Sequence, residues 1–110
     1  MGDYFDREGK QIDIHMFSTL LADDGYKRVA QNTLKGLNVS TVWLGLDHGF
    51  GNKELDPPII FETMVFGGDH TEPQWRYATE DAALENHAKI VKAIQDDKYK
   101  ELLYDEGFIC

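Results

Sequence analysis

The sequence holds one cysteine, Cys110, its last residue. A single thiol rules out a disulfide within the chain and fits a reducing compartment. Long apolar runs are also missing. No stretch approaches the roughly 20 apolar residues of a membrane-spanning helix. The opening residues, MGDYFDREGK, are charged and have no apolar signal core. These absences lead us to expect a cytoplasmic protein with no membrane association. Positive charge is scarce: 11 Lys and Arg stand against 20 Asp and Glu, a net charge of −9. Phosphates would be repelled, so direct nucleic-acid binding is not expected. An acidic surface suits solubility, or docking on a basic partner.

Motifs of chemistry are missing as well. The four histidines are His15, His48, His70 and His87. No two of them stand at i,i+4, and the chain has neither HExxH nor CxxC. The segment HGFGNKELD carries His48, Glu54 and Asp56 but lacks the alternating acids of a calcium loop. There is no GxSxG and no setting that would activate a cysteine. GLDHGFG lacks the GK[ST] ending of a phosphate loop. Motifs therefore assign no catalytic residue, no metal site and no cofactor.

What is present describes one domain over residues 1–110. The length of 110 residues and the 42% hydrophobic content allow a single modest core. No repeat, low-complexity run or linker interrupts it. A turn is expected around Glu8-Gly9. DIHMFSTLLADDG reads as a helix capped by Asp13, with Met16, Phe17, Leu20 and Leu21 on one face and Gly25 past its end. YKRVAQNTL reads as a polar strand and Lys35-Gly36 as a turn. NVSTVWLGL is the next strand, with Val39, Thr41 and Trp43 on one face and Ser40, Val42, Leu44 and Leu46 on the other. PPIIFETMVFGG and QWRYA supply two more strands. The connections are too short for parallel crossovers, which predicts an antiparallel four-stranded meander.

Thr79 then caps a helix, with Glu80 and Asp81 in its first turn. Leu84, His87, Ala88, Val91 and Ile94 form its expected stripe, and Glu85 and Lys89 an expected surface pair. The pattern predicts that this helix covers Val42, Leu44, Phe61 and Val65. A short helix in DKYKELLYDEG ends at Gly107, leaving Phe108 and Ile109 as an apolar tail. The fold class is α+β, with the helices packed on one sheet face.

The stretch STVWLGLDHGFG poses the functional question, because a strand runs straight into Asp47, His48 and a glycine-broken loop. A carboxylate beside an imidazole can orient it. The same residues also make ordinary turns, and Asp47 to Asp56 is expected to form a solvated loop. Glu62 shares a strand face with Ile60 and Met64. It is a buried carboxylate with a raised pKa if that face is core, and unremarkable if it is solvated. His87, in an apolar stripe, reads as a core histidine with a hydrogen bond. Trp43 and Trp75, on neighbouring strands, either fill the core or form an aromatic docking face with an acidic rim.

Taken together, VSTVWLGLDHGFG, PPIIFETMVFGG and WRYATEDAALENHAKIV resemble a family of small, acidic, uncharacterised proteins carried by bacteriophages and prophages. The resemblance covers about Tyr4 to Val91. It implies a phage origin, action in the host cytoplasm and no catalytic assignment. By analogy of size and charge it suggests a non-enzymatic accessory protein that binds a host or phage protein. The sharpest form is an inhibitor of a host defence nuclease, of the anti-CRISPR kind, acting through an acidic surface on a nucleic-acid-binding defence complex. The residues expected to meet the partner are Asp47, His48, Glu54, Asp56, Asp69, Glu72, Trp43 and Trp75, with the acids gathered on one edge of the meander. The alternatives are a small metal-dependent or acid/base enzyme using Asp47, His48 and Glu62, and a minor virion assembly factor. A homodimer is left open.

Overall fold

A computed structural model describes residues 4–47, 57–68 and 72–109. The chain begins with a two-stranded hairpin, β1 (Tyr4–Phe5) and β2 (Gln11–Ile12), turned at Gly9. Helix α1 spans Ile14–Leu21, and the Asp13 carboxylate accepts the Met16 amide hydrogen as its N-cap. Gly25 does not end this helix. It lies inside a further turn, α2 (Asp24–Lys27), which Asp23 caps. The helix stops at Ala22, whose amide donates to the Ser18 carbonyl at 3.2 Å, while the Asp23 amide donates to the Leu20 carbonyl at 3.1 Å.

The main sheet is the antiparallel meander the sequence predicts, β3 (Arg28–Leu34), β4 (Leu37–Trp43), β5 (Phe61–Phe66) and β6 (Gln74–Tyr77), in that order. Lys35 and Gly36 join β3 to β4 with φ of 51° and 78°. Left-handed conformation at both positions suits the right-handed twist of a two-residue hairpin. Lys35 Nζ then reaches Asp97 at 2.8 Å and the Gln95 carbonyl at 3.0 Å, tying the turn to the end of the long helix.

That helix, α3 (Glu80–Gln95), starts at Thr79, whose hydroxyl accepts the Ala82 amide hydrogen. Helix α4 (Tyr99–Asp105) follows, and Gly107 closes it at φ 82°. The tail folds back on the domain, with Phe108 meeting Trp75 edge-on at 4.8 Å between ring centroids.

α3 lies across one face of the sheet. Its buried residues are Ala83, His87, Ile90 and Ile94. The expected stripe is therefore displaced: Leu84 and Ala88 are exposed and Val91 is half-buried. Beneath it lie Val39, Thr41, Trp43, Phe61, Thr63, Val65 and Trp75. Phe61 and Val65 take the places expected of them, whereas Val42 and Leu44 sit half-buried on the opposite face. Pairing fixes this, because Val42 opposes Glu62 and side chains alternate strictly along a strand.

Two clusters make up the core. One gathers Val39, Val65, Trp75, Ile90, Ile94 and Leu103. The other joins Trp43, Ile60, Phe61 and Ala83, with Phe17, Leu20 and Tyr26 packed against it. The Trp43 indole donates to the Phe5 carbonyl at 2.9 Å, anchoring the first hairpin. No described helix is long and apolar enough to cross a membrane.

Candidate functional site

The most organised polar feature is buried under α3. His87 retains 5% exposure, with Nε2 2.7 Å from Asn32 Oδ1 and Nδ1 2.7 Å from Thr41 Oγ1. A carboxamide oxygen only accepts, so Nε2–H donates to Asn32 and the neutral ring's bare Nδ1 accepts the Thr41 proton. Thr63 in turn donates to Thr41 at 2.5 Å. Apart from this series, Asn86 Nδ2 donates to the Tyr77 hydroxyl.

The result is a continuous chain, Thr63–Thr41–His87–Asn32, with every bond running the same way, and a separate Asn86–Tyr77 bond. The chain takes one residue from each of β3, β4, β5 and α3, and the separate bond joins α3 to β6. Burial pushes the His87 pKa down and the Tyr77 pKa up, so both stay neutral near pH 7. The arrangement fastens the helix to all four strands and holds no charge to exchange with a substrate.

Sequence reading placed His87 in the core but missed its partners. One signal was present: Thr41 sits between Val39 and Trp43, and Thr63 between Phe61 and Val65, each a polar residue at a core-facing position of its strand. Buried hydroxyls of that kind need partners.

A second cluster holds the first hairpin to the start of α3. Arg7 grips the Glu80 carboxylate with Nε at 2.7 Å and Nη2 at 2.8 Å, and donates through Nη1 to the Tyr26 carbonyl at 3.0 Å. The bidentate pair lowers the Glu80 pKa and raises that of Arg7.

The residues expected to carry function are separated by the fold. Asp47 is half-buried and accepts the Ile59 amide hydrogen at 2.9 Å, which ties the end of the segment after β4 to the segment before β5. Glu62 keeps 13% side-chain exposure on the face away from the helices, and accepts from Arg76 Nε at 3.0 Å. Trp43 and Trp75, expected at a docking face, are instead core residues at 1% and 9% exposure. Glu72 is exposed, but it precedes β6 at the end of the sheet away from Asp47. β5 runs between these two ends, a distance of about 20 Å. Asp47 and Glu72 therefore do not share one edge. His48, Glu54, Asp56 and Asp69, and with them most of the loop expected from Asp47 to Asp56, lie outside the described residues.

A surface the sequence did not single out lies on α1. Phe17 and Leu20 turn inward, and Phe17 packs on Tyr4 and Trp43 at centroid distances of 4.5 and 5.9 Å. Ile14, Met16 and Leu21 remain 53%, 49% and 39% exposed, Ile14 and Leu21 together on one side of the helix and Met16 on the other side of the inward-facing pair. Exposed Asp13, Asp23 and Asp24 flank them. Apolar surface marks an interaction site where it is contiguous and rimmed by polar residues. Searches against family models, curated proteins and solved structures find no match to the chain.

Proposed function

We propose that this protein acts by binding another protein, and that α1 and its acidic rim form the contact. The observation that supports this reading is the exposure of Ile14, Met16 and Leu21 on one eight-residue helix between Asp13 and the Asp23-Asp24 pair. The partner that fits has an apolar depression bordered by Lys or Arg. A chain of net charge −9 would be steered toward such a surface from a distance. The sharpest form of the proposal is a phage-encoded accessory protein that occupies the basic, nucleic-acid-binding surface of a host defence nuclease.

Binding kinetics with an isolated partner test this. Association should slow as salt rises, since the attraction is screened beyond roughly 8 Å at 0.15 M. Asp24→Lys should slow it further, because Asp24 is 80% exposed and caps nothing. Association indifferent to both would remove the acidic rim from the contact. An enzyme would behave otherwise, losing turnover with Glu62→Gln while binding stayed intact.

A further inference from the structure

Among the described residues, none forms a layer over the face of the main sheet away from α3. Strand pairing arranges it in rows. Arg28, Val42, Glu62 and Arg76 stand opposite one another across the four strands. Gln31, Ser40, Met64 and Gln74 form the next row, and Thr33, Asn38 and Phe66 the third. In a chain of net charge −9 these three rows carry one acid, and Arg76 neutralises it. The other two rows carry no charge at all. Phe66 is 37% exposed, while Val42, Leu44 and Met64 are half-buried. Depletion of charge with enrichment in Met and aromatics is the composition of an interface core.

From this geometry we infer that the open face is a homodimer interface, in which two copies pack sheet on sheet about a two-fold axis. The axis runs across the strands, through the row of Gln31, Ser40, Met64 and Gln74. It sets the charged row of one copy over the uncharged row of the other, so the arginines never meet. An axis along the strands would instead place Arg28 over Arg76 of the second copy. On the chosen axis Met64 faces its own copy, and Phe66 reaches toward Val42 and Glu62. Glu72 is exposed and Pro73 buried, so Glu72 continues the outward alternation of Gln74 and Arg76. The two-fold therefore brings Arg76 of one copy toward Glu72 of the other, an ion pair at each rim.

Four strands about 4.8 Å apart and six residues long give a footprint of about 400 Å² before side-chain relief. A standard interface buries about 800 Å² per partner. The dimer therefore belongs to the small class, and micromolar dissociation is expected of it. Both acidic α1 surfaces stay outside this contact, because α1 packs on Trp43, on the other side of the sheet.

Sedimentation equilibrium from about 1 μM to about 500 μM, spanning the expected dissociation constant, tests the proposal. The wild-type protein should fit a single monomer–dimer equilibrium. Met64→Lys and Met64→Glu should each be monomeric, because each puts two like charges at the axis. Their melting temperatures should change little, since Met64 lies outside both core clusters. Mixed one to one, the two variants should dimerise again, as only a contact that sets residue 64 against itself allows. A wild-type monomer throughout the range, a dimer that survives Met64→Lys, or a mixture that stays monomeric would each overturn it. Mass growing past the dimer would overturn it too, as a head-to-tail contact instead of a closed two-fold.

Discussion

His87 accepts the Thr41 proton through Nδ1 at 2.7 Å, and this bond sets the direction of a buried chain that joins α3 to three strands of the main sheet. The chain is complete only with a neutral ring. A protonated His87 would donate through both nitrogens, leaving the Thr41 proton to find another acceptor. Such a network stabilises when every member is paired and is costly when one is not.

The first prediction follows from the sign of that coupling. Burial lowers the His87 pKa in the folded state below its ordinary 6.5. The unfolded chain then binds the proton more readily, so stability is fully present above about pH 6.5 and falls as the pH drops toward the folded-state value. Urea midpoints measured between pH 7.5 and pH 5 should decline in the wild type. His87→Gln should start lower at pH 7.5 and decline less. Parallel declines in the two proteins would show that the ring is not the group responsible.

The Arg7–Glu80 clamp titrates in a different window. Its partner holds Glu80 below the ordinary carboxylate value of 4.5, so its stabilisation is present above that pH and is lost as the pH falls through the folded-state value. Both side chains are partly exposed, at 21% and 32%, which limits the coupling to about 1 kcal/mol. A double-mutant cycle of Arg7→Ala and Glu80→Gln at pH 7 measures it. Additive effects would show that the clamp positions the hairpin without stabilising it.

Gly45 is hemmed in by two aromatic rings. Its φ is +77°, and a Cβ there would lie 2.5 Å from the Phe17 ring and 2.8 Å from that of Trp43. Gly45→Ala combines left-handed strain with overpacking, and should cost roughly 2–4 kcal/mol. Denaturation followed by tryptophan fluorescence measures this, and a loss below about 0.5 kcal/mol would mean that α1 does not pack as described.

The position of α3 can be tested by comparing neighbours on its surface. Ile90 is fully buried, whereas Leu84 is 40% exposed. Ile90→Ala should cost about 3 kcal/mol and Leu84→Ala under about 1. The reverse order would restore the stripe expected from sequence.

That stripe shows where sequence reading reached its limit. Asp13 and Thr79 were legible as caps because a cap is local chemistry, set by a side chain and an amide three residues on. The alternation in β4 was legible for the same reason. Ala82, Ala83, Leu84 and Ala88 offer apolar surface on adjoining faces of α3, and only the sheet decides which face is buried. α1 is apolar on several sides, so its period could not say that Ile14, Met16 and Leu21 would stay in water. Val42 and Leu44 look like core residues, but the described helices lie on one side of the sheet, and no described element covers the second apolar face. The hydrogen-bonded chain was hidden by distance. His87 lies 46 residues from Thr41 and 55 from Asn32, and nothing local to any one of them announces the others.

The central claim is that α1 is the surface by which this protein works. Quantitative mass spectrometry of proteins retained from a bacterial lysate tests it most directly, using the wild type and the triple variant Ile14→Ser, Met16→Ser, Leu21→Ser. These side chains are partly exposed, so the variant should remain folded by circular dichroism. The account predicts a partner that the wild type retains at low salt, retains less at high salt, and that the folded variant loses. A partner retained equally by both proteins would contradict it.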